Sequence, residues 1–126
     1  MAQVKIYALR TVLEAHRNTV SDAIHETISE ALAYPREKRF HRFFPLDPEH
    51  FIHPRGERYL ILEISMFEGC SMEAKKRLIH ALYTNLKPLG FLDHDVEITI
   101  FETPKHHWGI RGLPGDELAL EYTVEV

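Results

Sequence analysis

Polar and apolar side chains alternate over residues 3–8, "QVKIYA", with Val4, Ile6 and Ala8 on one face. This predicts a β-strand close to the start of the chain. After Leu9 and Arg10 the period lengthens: Val20, Ile24, Ile28, Ala31 and Leu32 recur at three- and four-residue steps. His16, Arg17, Glu26 and Glu30 fall mainly outside that stripe, the pattern of a long amphipathic helix. Pro35 disfavours helical geometry at Tyr34 and closes the helix, and "FHRFFPL", residues 40–46, resumes as a strand.

The second half repeats the order. "RYLILEISMF", residues 58–67, reads as an apolar strand from the middle of a sheet. "EGCS" is a turn, Ser71 is an N-cap with Glu73 in the first helical turn, and Ala74, Leu78, Leu82 and Leu86 mark a second amphipathic helix flanked by Ile79 and Tyr83. That helix stops near Pro88 and Gly90, "DVEITIFET" (95–103) returns as a strand, and "LALEYTVEV" (118–126) alternates as a further one. Each half is thus strand, helix, strand. Parallel strands within a half need a right-handed crossover, so both helices pack on one face of a four-stranded mixed sheet, an α+β fold built from a tandem β-α-β repeat. The strand at 58–67 is apolar on both faces, and its second face needs a cover, which points to an oligomer.

Composition narrows the function. A chain of 126 residues with 44% apolar side chains is expected to form one domain over residues 1–126. A net charge of −4, from 15 basic and 19 acidic residues, argues against a nucleic-acid module. The most basic stretch, "PREKRFHR", is short and mixed in sign, yet one or two of its cations suffice for a small anion. The single cysteine, Cys70, rules out an internal disulfide, and no run is long and apolar enough for a membrane span or secretory signal, so the expected compartment is the cytoplasm. Near the end, "KHHWGIRGLPGDE" (105–117) places the only Trp among turn-forming residues. Such an aromatic needs burial by the chain's own core, a ligand or another subunit.

The duplicated unit, "ISMFEGCSMEAKKRLI" (64–79) and "DVEITIFETPKHHWGIRGLPGDE" (95–117) together resemble the tautomerase superfamily over nearly the whole chain, at the size of its larger members. The resemblance implies a homotrimer whose three sheets form a central barrel, with active sites between neighbours. It also implies an amino-terminal proline acting as base or acid, and the matching residue here is Ala2. A primary α-amine has a reference pKa of about 7.7 to 8.0, so Ala2 can take a proton near neutrality once Met1 is removed. Where many relatives carry an arginine in the "G-R-S" turn that holds a substrate carboxylate, this chain has Cys70, which lacks that fork of donors. Where the decarboxylase-like relatives carry an acid, it has Lys38, and this weakens a decarboxylase or dehalogenase assignment.

The candidate site residues are therefore Ala2 for catalysis and Lys38, Arg39, Cys70, Trp108 and Arg111 for substrate binding. Lys38 and Arg39 read either as carboxylate ligands or as exposed turn cations. Cys70 reads as a small residue near a helix start or as a thiolate. Trp108 reads as a wall of a neighbour's pocket or as plain interface packing, and Arg111 as reaching that pocket or pairing with Asp116 or Glu117. His41 reads as structural rather than catalytic. His50 and His53 have metal-site spacing but no convincing third ligand, so neither metal nor cofactor is expected. The function expected is keto-enol tautomerisation of a small 2-oxo acid, and the alternative is a non-catalytic, ligand-binding or structural trimer.

Overall fold

The computed structural model describes residues 2–119, 124 and 126. Strand β1 (Ala2–Leu9) runs into helix α1 (Arg10–Leu32), followed by β2 (His41–Leu46), β3 (Leu60–Phe67), α2 (Met72–Leu86) and β4 (Val96–Thr103). The strands lie in the order β2-β1-β3-β4. β1 pairs parallel with β2 and β3 parallel with β4, while the two halves meet antiparallel at β1 and β3, with Ala2 opposite Met66 and Ile6 opposite Leu62. The repeat and the mixed sheet are as the periodicities predict. The additional strand expected at 118–126 falls mostly outside the described residues.

One core lies between sheet and helices. Val4, Ile6 and Ala8 of β1, with Leu60, Leu62 and Ile64 of β3, meet Val20, Ile24 and Ile28 of α1 and Leu78, Leu82 and Leu86 of α2. Ser71 caps α2 by accepting a hydrogen bond from Ala74 N at 3.0 Å, which satisfies one of the free N–H groups of the first turn. Helix α1 ends differently from the expectation that Pro35 alone stops it. Ala33 takes a left-handed conformation at φ 52, and Tyr34 N donates back to Ser29 O at 3.0 Å, so the terminus closes before the proline is reached.

The second sheet face corrects the expectation of a strand apolar on both sides. In β3 that face carries Ile61, Glu63, Ser65 and Phe67, and the neighbouring strands add Lys5 and Thr99 in register with Glu63. It also carries Tyr7 stacked on Phe44 at 4.7 Å, with the Tyr7 hydroxyl donating to Glu63 at 2.8 Å. It is a half-buried, mixed surface in which Tyr7 and Glu63 pair within the sheet, not a plain apolar patch.

The Trp-bearing loop is more ordered than its turn residues suggest. Strands β5 (Gly109–Ile110) and β6 (Leu113–Pro114) form a hairpin, joined by Arg111 at φ 51 and Gly112 at φ 87. Two successive left-handed residues match the right-handed twist of a two-residue hairpin, and glycine supplies the second without steric cost.

Candidate functional site

The topology gathers the sequence candidates at one end of the sheet. β1 starts there and β3, antiparallel to it, ends there. β2 starts at the same end, and β4 finishes with Thr103 opposite Phe67. Ala2, the 33–40 connection, the turn at 69–71 and the Trp108 loop therefore share this rim.

Ala2 is 4% exposed, and its backbone nitrogen donates to the Tyr34 hydroxyl at 2.9 Å. Tyr34 is itself buried, because the left-handed Ala33 turns the chain inward at the helix end. Burial pushes the Tyr34 phenol above its ordinary value, with the contact from Ala2 acting the other way, so the hydroxyl keeps its proton at neutral pH. Sequence reasoning used Tyr34 only as the residue before a proline. A buried aromatic hydroxyl needing a partner is the signal that marks it.

The following turn, closed by Lys38 N donating to Pro35 O at 3.1 Å, ends in the two candidate cations. They differ. Arg39 reaches back to α1, donating to Asp22 at 2.7 Å and to Ser21 at 3.4 Å. Lys38 is half-buried, and among the described residues its ammonium has no hydrogen-bond or ion-pair partner. Lys38 is thus the uncommitted cation. Beside this edge, Gln3, Arg39, Phe40, His41 and Arg42 line an open cleft of about 390 Å³. A larger groove of about 700 Å³ opens between the helices, bordered by Lys76, Arg77 and His80, and not at the sheet end.

His41 is held by the same network. Ser21 Oγ lies 2.8 Å from its Nδ1, and His25 approaches edge-on with ring centroids 6.0 Å apart. Because Ser21 accepts from Arg39, its hydroxyl hydrogen is available to His41. Burial first, then the positive Arg39 and the neighbouring His25 ring, lower the His41 pKa to about 4, against the opposing pull of Asp22. Between pH 6.5 and 4 the unfolded chain therefore binds a proton that the folded chain refuses. Stability from this source is complete above pH 6.5 and declines as pH falls toward 4, by on the order of 2 kcal/mol once partial exposure is allowed for. Urea unfolding of wild type across this window is expected to show the slope, and His41→Asn to flatten it. Equal slopes in both chains would remove His41 as its source.

Cys70 is half-buried, and its thiol donates to Val124 O at 3.4 Å. Burial, then the Glu102 carboxylate, pushes the thiol up, away from a thiolate. Glu102 is itself paired with Lys75 at 2.6 Å. The structural reading of Cys70 is the one this geometry favours.

Trp108 is buried in part by its own chain. Its indole Nε1 donates to Thr103 Oγ1 at 2.7 Å, and its ring meets Phe67 edge-to-face with centroids 5.0 Å apart. Gly115 N donates to Trp108 O at 2.8 Å, and a Cβ at Gly115 would lie 2.4 Å from Lys105 O, so only glycine permits this closure. Arg111 sits exposed at the hairpin tip and, among the described residues, pairs with neither Asp116 nor Glu117. Within one subunit the candidates do not all converge. β2 and β4 stand three strand spacings apart, about 14 Å, which separates the Lys38 edge from the Trp108 edge.

The histidine pair also separates. His53 packs at a tilt against Phe51 and Tyr59 and accepts from Arg55 N at 3.1 Å. His50 instead groups with Asp47 and Glu49 at the far end of β2, where Asp47 is already bound by Arg10 at 3.0 Å.

Comparison with known proteins agrees with the architecture. A family model described as tautomerase enzyme matches residues 38–111. A probable tautomerase of Ralstonia nicotianae is 36% identical over 55 residues, which are 43% of this chain and 79% of that protein. A malonate semialdehyde decarboxylase inhibited by 3-bromopropiolate superposes with a TM-score of 0.71 at 28% identity, over 85% of this chain and 87% of its own. A fused 4-OT solved as a symmetric trimer gives a TM-score of 0.78 at 18% identity, over 90% and 96% of the two chains, a likeness of fold.

Proposed function

The chain belongs to the tautomerase enzyme family, and from that premise we propose that it interconverts the keto and enol forms of a small 2-oxo acid, using the Ala2 α-amine freed by loss of Met1. The observation that carries this reading is the Ala2 nitrogen, buried at the sheet end with a neutral hydroxyl 2.9 Å away. In the keto-to-enol direction the neutral amine takes a proton from the carbon beside the carbonyl. The C–H electron pair becomes the new C=C bond, and the carbonyl electrons move to oxygen, which then receives the proton from the ammonium. A free α-amine has a reference pKa of about 7.7 to 8.0, so a share of it is in the basic form near neutrality. Lys38, the uncommitted cation, attracts the substrate carboxylate as enolate charge develops.

We further propose a homotrimer, in which Trp108 and Arg111 of one subunit complete the pocket beside Ala2 and Lys38 of the next. The about 14 Å between the two edges within one subunit supports it. Light scattering is the measurement of subunit number. The second reading, a non-catalytic ligand-binding trimer, rests on Cys70, whose protonated, backbone-bonded thiol offers no carboxylate clamp.

Phenylpyruvate tautomerisation, measured on chains whose N-terminus is defined by mass, separates the two. Free Ala2 is expected to turn substrate over, a correctly processed Ala2→Pro variant to be faster, and Lys38→Met to raise KM more than it lowers kcat. If neither the alanine nor the proline chain turns over, the binding reading takes its place.

A further inference from the structure

We propose that Tyr34 is the positioning residue of the site: its hydroxyl holds the Ala2 nitrogen so that, once Met1 is gone, the amine lone pair is left directed at substrate. The role of the amine rests on the tautomerase reading above, whereas the contact itself rests on the geometry alone.

The sheet explains why a side chain occupies this position. Val4 N donates to Phe40 O at 2.9 Å, toward the β2 side. The two-residue period of a strand aims Ala2 N the same way. β2 begins only at His41, so a ladder extended by two residues would need a carbonyl where the chain is still coming out of the turn at 35–38. The Tyr34 hydroxyl stands there instead, 32 residues away in sequence, and accepts the hydrogen bond with both partners buried. It is anchored at the helix end by Ala33 at φ 52 and by Tyr34 N donating to Ser29 O, so its oxygen is placed by α1 and not by a mobile loop.

The hydroxyl acts at this point as a ladder carbonyl would, as an acceptor. It accepts a hydrogen from the ammonium and from the neutral amine alike, and in the neutral amine this uses an N–H and leaves the lone pair open. Accepting from the ammonium stabilises the charged form, against the burial that disfavours it. Tyr34 therefore also limits how far the amine pKa falls. Other charged or titratable groups belong to the elements around the same rim. On the β2 side they are Lys38, Arg39 with Asp22, and His41 with His25. On the β3 and α2 side they are Cys70 and the Lys75–Glu102 pair.

The test uses Met1-free chains labelled with 13C-alanine, the Ala2 signal being assigned by its loss in Ala2→Gly. Titration of that signal reads the amine directly, whether or not the protein is active. Tyr34→Phe keeps the ring and loses only the oxygen, and an unchanged unfolding midpoint within about 1 kcal/mol of stability verifies its fold. The amine of Tyr34→Phe is expected to titrate at least about half a pH unit lower than wild type. The acid limb of kcat/KM is expected to move with it, while kcat falls about tenfold and KM changes little. Coincident titrations in the two chains would overturn the assignment, even with active enzyme. A shifted titration in a chain without activity would support Tyr34 and count against the tautomerase reading alone.

Discussion

Retention of Met1 is expected to cut phenylpyruvate tautomerisation about 100-fold or more, because it converts the Ala2 nitrogen from an amine into an amide with no basic lone pair. The buried contact at 2.9 Å to Tyr34 survives this change, since an amide N–H donates as well as an amine does. The fold should therefore be nearly unaffected, while Met1 stands beside the nitrogen that substrate must reach, so the loss should fall on kcat and on kcat/KM. Matched samples with and without Met1, distinguished by mass, supply the comparison. Carbamylation by cyanate near neutral pH supplies a second, because the α-amine of lower pKa reacts before the lysines. Equal kcat in blocked and free chains would place the base elsewhere, and Lys38 would be the next group to replace.

Phe67→Ala is expected to cost about 3 kcal/mol in unfolding free energy, the largest stability effect foreseen outside the main core. Phe67 is 1% exposed, yet it lies on the sheet face opposite the helices. Its cover includes the Trp108 ring, set edge-on at 78°. Truncation leaves a cavity beneath the indole and removes an aromatic pair worth about 1 kcal/mol beyond its buried area. The Thr103 hydrogen bond and the Gly115 closure then hold Trp108 without a floor. Urea unfolding should show the loss, and the emission of this single tryptophan should shift to the red. A loss below about 1 kcal/mol with unchanged emission would mean that the loop is held from another side.

The same pair answers why the only Trp stands in a loop. Among the described residues it packs on its own chain through Phe67, and the ring remains half-buried and accessible to a ligand or neighbour. Sequence pattern indicated that something had to bury it and left three candidates open, because the strand that meets the loop lies about 40 residues earlier.

Local periodicity carried most of the fold. The alternation of Val4, Ile6 and Ala8 and the stripe of Ala74, Leu78, Leu82 and Leu86 are buried as their spacing implies, since strand and helix geometry repeat every 2 and 3.6 residues regardless of the rest of the chain. Ser71 was legible as a cap for the same reason: its partner is three residues away. The apolar run at 58–67 misled as to its second face, because Glu63 and Ser65 are few in number yet fall together on it. Arg111 and Ala33 were not legible as left-handed positions, which alanine and arginine adopt only when surrounding structure compensates.

The sequence by itself thus determined the order of elements, the duplicated half, the core faces and the set of residues able to do chemistry. Only the tertiary structure decided what those residues do to one another: that Tyr34 meets Ala2, that Asp22 engages Arg39 and, among the described residues, leaves Lys38 uncommitted, that Val124 ties Cys70, and that Phe67 supports Trp108. The physical reason is range. Backbone periodicity and capping are written within a few residues, whereas hydrogen bonds, ion pairs and burial of single side chains depend on which strand ends the antiparallel joining of β1 and β3 brings to the same rim.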